Sequence, residues 1–196
     1  MKKKTKEDFI GAHKLYNGVY VTGLFYSGIT IYNQQVRTLN LLYQLKKAGN
    51  LQSTPRKIVI IGGGISGVTA ALGLTNLGYE VSILEEKSIL LHLQHGCTIR
   101  KIHPNLYKWP SVDSLKPFTE LPFANWTSSD AASIERSLVA QFNDEKKRVK
   151  ESLTSYFQVS KVKINISKKI IRFKYKNLKD NSFDCEIKYS LILIAK

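Results

Sequence analysis

Between Lys57 and Gly67 the chain reads Lys-Ile-Val-Ile-Ile-Gly-Gly-Gly-Ile-Ser-Gly, and no other stretch limits its fold as much. Ile58 to Ile61 is a continuous apolar run, as expected of a parallel strand covered on both faces. A glycine-rich turn follows, and Val68 to Leu77 has the Ala- and Leu-rich composition of a packed helix. Gly78 stands where a helix C′ residue is expected. Glu80 to Glu85 then reads as a second strand. The spacing Gly62-x-Gly64-x-x-Gly67 is that of a dinucleotide-binding turn. Gly62 permits the tight turn, Gly64 lets the backbone approach a pyrophosphate, and Gly67 lets the helix pack closely on the sheet. The helix N-terminus offers free N–H groups and a positive dipole end to phosphates. Glu85 lies 23 positions after Gly62. That is near the offset of about 20 residues expected for the acid that hydrogen-bonds a ribose hydroxyl.

Composition restricts the partners. The net charge is +15, which raises nucleic acid and anionic membrane as candidates. The chain has 24 lysines but only 6 arginines, and the lysines are scattered. Base and phosphate readers favour arginine forks, so no specific nucleic-acid partner is expected. Leu15 to Val36 carries no charge, yet its three glycines, two asparagines and two glutamines make it too polar for a membrane span. Met1-Lys-Lys-Lys resembles a signal-peptide start, but Glu7 and Asp8 follow and no apolar h-region appears. Cys97 and Cys185 form no CxxC pair, which argues against a disulfide framework and points to a reducing cytoplasm. His92, His95 and Cys97 match no standard zinc spacing, so no metal is expected.

Two segments are expected. Residues 1–55 read as a loose basic tail, Met1 to Lys14, and an amphipathic helix within Ser27 to Ala48, ended near Gly49 and followed by the linker Gln52-Ser-Thr-Pro55. Residues 56–196 read as a partial dinucleotide-binding domain. Glu86 to Pro122 is irregular and holds four of the five prolines. Ser129 or Asp130 caps a helix expected to run to about Ser155. Three alternating strands follow, Lys161 to Ile166, Ile171 to Tyr175 and Phe183 to Tyr189, with turns at Ser167-Lys168 and Asn177 to Ser182. Tyr189 to Ala195 is again an apolar run with the character of a central parallel strand.

Strand, GGGxSG turn, helix, strand and Glu85, then an insertion, an antiparallel β-meander and a final apolar strand, resemble the FAD-binding fold of two-dinucleotide-binding-domain flavoproteins. Three further segments, Ile31 to Asn40, Leu91 to Pro104 and Leu121 to Trp126, resemble a subgroup of uncharacterised bacterial FAD/NAD(P)-binding oxidoreductases. The resemblance covers the chain from about Phe25 onward. It implies an α/β class: a Rossmann-like FAD/NAD(P)-binding fold with a parallel sheet and an antiparallel meander, preceded by an amphipathic helix. It also implies that Gly62, Gly64 and Gly67 lie against the FAD pyrophosphate, that Ile65 and Ser66 supply N–H groups, and that Glu85 holds the adenosine ribose. A carboxylate there repels a 2′-phosphate, which disfavours NADP. Glu86 is the adjacent candidate, with a solvated charge as the plainer reading. Arg100 is placed to neutralise pyrophosphate, or is a surface arginine. Cys97 and His103 face a flavin or are a small buried thiol and a turn residue. Gln34, Gln35, Arg37 and Asn40 touch cofactor or are helix-surface polarity. In that family the last strand enters an Ala-Thr-Gly-like turn, whereas Lys196 follows Ala195 here. The resemblance thus implies a chain lacking the half that covers the flavin and binds substrate.

The function expected is therefore the FAD-binding portion of a flavin-dependent oxidoreductase, with a small-molecule cofactor as partner. The alternatives are a truncated, non-catalytic fragment of such an enzyme and an NAD-binding module without flavin. The meander before the last strand disfavours the second of these, because simple dehydrogenases continue with alternating strands and helices.

Overall fold

A computed structural model of the chain describes residues 6–22, 30–51, 57–177 and 179–195. The elements in chain order are α1 (Lys6–His13), β1 (Lys14–Tyr16), β2 (Val19–Val21), α2 (Ile31–Lys47), β3 (Lys57–Ile61), α3 (Ile65–Asn76) and β4 (Glu80–Leu84). The irregular stretch that follows carries β5 (Lys101–Ile102) and leads to β6 (Ser129–Asp130). Then come α4 (Ala131–Val149), β7 (Leu153–Tyr156), β8 (Ser160–Asn165), β9 (Ile170–Lys176), β10 (Ser182–Lys188) and β11 (Leu191–Ile194).

The main sheet has the order β1-β2-β11-β3-β4-β7. All neighbours from β2 to β7 pair in parallel, and β1 is an antiparallel edge. Because side chains alternate along a strand, the central strands feed two cores. Ile58, Ile60, Val81, Ile83, Leu191 and Leu193 share one core with α2, α3 and α4. Val59, Leu84 and Ile192 share the other with Ile171, Phe173 and Ile187 of the β8–β9–β10 meander. This double coverage is why these strands are near-continuous apolar runs. The parallel sheet, the antiparallel meander and the final strand as a central member agree with the fold expected from the sequence.

Two expectations are corrected. The first 14 residues are not all a loose tail, since Lys6–His13 is helical. Buried His13 donates from Nδ1 to the Val21 carbonyl (2.6 Å) and rests against Phe9. The helix capped by Asp130 ends at Val149, short of Ser155. Leu153–Tyr156 instead pairs with Val81 to Leu84 as the far edge of the sheet, a tertiary demand that overrides local helix preference. The Asp130 cap itself accepts from Ser133 N–H (2.9 Å), and this bond holds its carboxyl below the usual carboxylate range.

The segment before residue 56 does not stand apart. β2 lies beside β11 in the main sheet, and Tyr20, Leu41, Leu42 and Leu45 belong to the same core as Ile58 and Val68. The expected start of α2 at Ser27 and the linker Gln52 to Pro55 lie outside the described residues. Among the described residues no helix is long and apolar enough to cross a membrane.

At the meander, Tyr156 packs edge-on against Phe173 and Tyr175. Burial, reinforced by the Cys185 thiol and then Tyr175, pushes the Tyr156 phenol up to about 12. A phenol raised in the folded state stabilises fully below its unfolded value of about 10, and that contribution is lost as pH rises through the folded value. Tyr156→Phe is therefore expected to lose less stability than the parent between about pH 10 and 12. Urea melts across that window check it, and parallel curves for the two proteins would refute it.

Candidate functional site

The carboxyl ends of the parallel strands meet at one edge of the sheet. From β3 the chain passes through α3 to β4 on one side, whereas β11 joins β3 on the other. Such a reversal of winding opens a crevice at the strand ends where α/β sheets take ligands. Gly62 to Gly67 stands at that point.

The glycines of the turn are required for different reasons. Gly62 has φ +108° and donates its N–H to the Leu84 carbonyl (2.8 Å). A Cβ there would run into the Ala195 carbonyl oxygen, so β11 closes directly on the turn. A Cβ on Gly67 would meet the Gly62 carbonyl oxygen, so α3 rests on the turn backbone. At Gly63 a Cβ would meet Leu90 Cδ2 at 2.6 Å and Glu85 Oε2 at 2.9 Å. Gly64 differs from all three: it is exposed, and among the described residues nothing lies within 4 Å of where its Cβ would be.

Helix α3 is buried from Ile65 to Thr75, including Ser66. Its first internal bond at the N-terminus runs from Val68 N–H to the Gly64 carbonyl (2.9 Å). The N–H groups of Gly64, Ile65, Ser66 and Gly67 have no hydrogen-bond partner among the described residues. They are the orphan donors of a helix start, aligned with the positive end of its dipole.

Glu85 is held on every side. Its N–H donates to the Tyr156 carbonyl and its own carbonyl accepts from Val159 N–H, both at 2.9 Å. Its carboxylate accepts from Gly63 N–H through Oε2 (2.5 Å) and from Lys87 N–H through Oε1 (2.7 Å). The segment after Glu85 folds back over the turn, with Leu91 N–H donating to the Gly63 carbonyl (2.9 Å) and Leu91 at φ 55°. The glycine spacing alone names neither Gly63, Leu90 nor Leu91. Gly63 shows in the sequence as the extra glycine of the run and Leu91 opens the segment Leu91 to Pro104, whereas no motif singles out Leu90.

The other candidates fall elsewhere. Glu86 is exposed and pairs with Lys87 Nζ at 3.4 Å. Arg100 is exposed, and its guanidinium has no hydrogen bond or ion pair to the glycine turn among the described residues; its carbonyl accepts from Ala131 N–H at the start of α4. His103 Nδ1 accepts from the N–H groups of Asn105 (3.2 Å) and Leu106 (3.0 Å), which makes it a turn residue. Cys97 is half-buried, and its carbonyl accepts from Ala132 N–H. His95 faces Glu135 at 3.6 Å. Among the described residues no group of three or more His, Cys, Asp or Glu is placed to hold a metal. Gln35 is fully buried and clamps the 124–126 loop: it donates to the Ala124 carbonyl and accepts from the Trp126 indole N–H, both at 2.8 Å. It is a core residue of α2, so of its two expected readings helix-surface polarity is corrected, and its hydrogen bonds go to the 124–126 loop.

The parallel sheet with helices on one face and a meander on the other, and the strand–glycine turn–helix–strand unit at its centre, define a Rossmann-like α/β protein. The sequence matches the family Pyridine nucleotide-disulphide oxidoreductase over residues 25–113 and 56–196, and the chain belongs to that family. A 55-residue stretch is 42% identical to the FAD-dependent monooxygenase atnJ of an Arthrinium species, which covers 28% of this chain and 12% of that protein. Among solved structures, L-lysine 6-monooxygenase from Pseudomonas syringae is 13% identical with a TM-score of 0.47, covering 93% of this chain and 40% of that one. The bacillithiol disulfide reductase Bdr (YpdA) from Bacillus cereus is 18% identical with a TM-score of 0.45, covering 73% and 40%. The chain thus spans 12% of the length of the curated relative and 40% of each of these two structures.

Proposed function

We propose that this chain is the FAD-binding portion of a flavin-dependent oxidoreductase and takes the ADP part of FAD at the Gly62–Gly67 turn. The observation that carries this reading is Gly64. Packing of the protein on itself accounts for Gly62, Gly63 and Gly67, each of which would clash with a neighbour if it bore a Cβ. At Gly64, the N-cap of α3, no atom of the described residues opposes a Cβ, which would enter open space. That space lies beside the orphan N–H groups of α3, where a pyrophosphate gains both hydrogen bonds and the dipole. The groups present therefore fit a dinucleotide. Gly64, Ile65, Ser66 and Gly67 would hold the pyrophosphate, and Glu85 the adenosine ribose. A carboxylate at that position disfavours a 2′-phosphate. The FAD-dependent relative supports FAD as the dinucleotide. A bound flavin supplies hydride or one-electron transfer, and the protein binds and orients it. Arg100 and Glu86 are the weaker members of the proposed site, since both are exposed.

Gly64→Val tests the reading. A branched side chain at this position blocks close approach of the pyrophosphate and is expected to weaken FAD binding roughly tenfold to a hundredfold. Stability should change by only about 1 kcal/mol, the cost of a poorer N-cap residue. Flavin absorbance and quenching titrations measure the first, and a thermal melt the second. Unchanged affinity for FAD in the variant, or no uptake of FAD by the parent protein, would overturn the assignment. NAD titrated in parallel distinguishes the flavin reading from a plain nicotinamide site.

A further inference from the structure

We propose that Gly63 is a positioning residue for the recognition of a vicinal diol, because its N–H and its missing Cβ together set the Glu85 carboxylate. The proposal rests on the assignment of Glu85 to the ribose. An ionised carboxylate has two oxygens with about four lone-pair sites in all. In Glu85 each oxygen already accepts one backbone N–H, Oε2 from Gly63 and Oε1 from Lys87. Each oxygen therefore keeps acceptor capacity, and the pair suits two adjacent hydroxyls. A carboxylate tied at both oxygens is oriented before the ligand arrives, and such preorganisation raises affinity by reducing what must be ordered on binding.

Only glycine suits position 63. The nearest atoms to an added Cβ are Leu90 Cδ2 at 2.6 Å, Glu85 Oε2 at 2.9 Å and Glu85 Cβ at 3.2 Å. The first two are tips of side chains, so the backbone of the turn tolerates the substitution and the side chains must move. Leu90 has little freedom to do so. It is 6% exposed, and the next residue is bonded to the Gly63 carbonyl (2.9 Å). Even where Leu90 shifts, the second overlap remains, so the Glu85 carboxylate must also give way, and moving it breaks the bond from Gly63 N–H. Gly63→Ala thus changes what the site recognises, at a cost in stability where Leu90 must shift.

Titration of the full chain with ADP and with 2′-deoxy-ADP, by calorimetry, tests this. The parent is expected to prefer ADP by roughly tenfold or more, the worth of a hydrogen bond to a charged acceptor. Gly63→Ala is expected to lose most of that preference, with a lower melting temperature from the displaced Leu90. A variant that keeps the parental preference overturns the proposal. Parental binding of both nucleotides with equal affinity overturns it too, while leaving the ADP site in place; no binding of ADP removes the site itself. Gly63→Ala/Leu90→Ala supplies room on the leucine side if the single variant folds poorly, and is expected to show the same lost preference. Amide hydrogen exchange gives an independent readout. Glu85→Ala should accelerate exchange at the Gly63 amide at least several-fold, and equal rates would overturn the proposal.

Discussion

Gly67→Ala is expected to destabilise the protein by roughly 3 kcal/mol or more, at the upper end of what overpacking a core costs. The added methyl would enter the Gly62 carbonyl oxygen, a backbone atom already fixed by the turn, and would also stand 3.4 Å from the Ala195 methyl. Relief requires α3 to lift off the turn, yet α3 is buried from Ile65 to Thr75. For a chain of this length each kcal/mol lowers the melting temperature by about 2–4 °C, so a fall of about 6–12 °C is expected. Thermal and urea melts measure it, and a change under 1 kcal/mol would show that the helix is not seated as described. Gly67→Ala and Gly64→Val thus form a pair, three positions apart, with opposite signatures. The first costs stability at a contact within the fold. The second costs affinity at an open position.

Gln35→Met should be the other large effect. Methionine keeps the length and volume of the side chain and removes both polar atoms. The Trp126 indole N–H and the Ala124 carbonyl then lose their partners in a site where Gln35 is fully buried. A buried donor or acceptor left unpaired costs about 1–3 kcal/mol, so for the two groups a loss of about 2–6 kcal/mol is expected. Ala124 is held at φ 54° next to this clamp, and without the bond the loop has less reason to stay there. Urea unfolding followed by tryptophan fluorescence measures the loss. A cost below about 0.5 kcal/mol would mean that the 124–126 loop is held by packing alone.

The parts of this fold that were legible in the sequence are those whose cause is local. The strand from Lys57, the turn, the helix and the strand to Leu84 follow from an apolar run, glycine spacing and a C′ glycine. The meander follows from alternating residues separated by turn-forming pairs. A cap at Ser129 or Asp130 follows from their place just before an apolar periodic stretch, and the structure puts it at Asp130. The misread parts have distant causes. Val19–Val21 is too short to show a period, and its partner Ile192–Ile194 lies at the other end of the chain. The stretch after Val149 reads as more helix until β4 claims Leu153–Tyr156 as its neighbour. Gln35 resembles helix-surface polarity because the tryptophan that it binds is 91 residues away.

The candidate site divides in the same way. Spacing along a parallel βαβ unit dictates that a strand, a glycine turn and a helix stand together with a carboxylate at the next strand end, and that much is readable along the chain. Packing between distant segments sets which glycines serve the protein's own contacts and which one faces open space. It alone tied the Glu85 carboxylate to Gly63 and folded Leu90 and Leu91 over the turn. A missing Cβ has no meaning until the atom that would oppose it is in place, and that atom comes from another strand, another loop or a ligand.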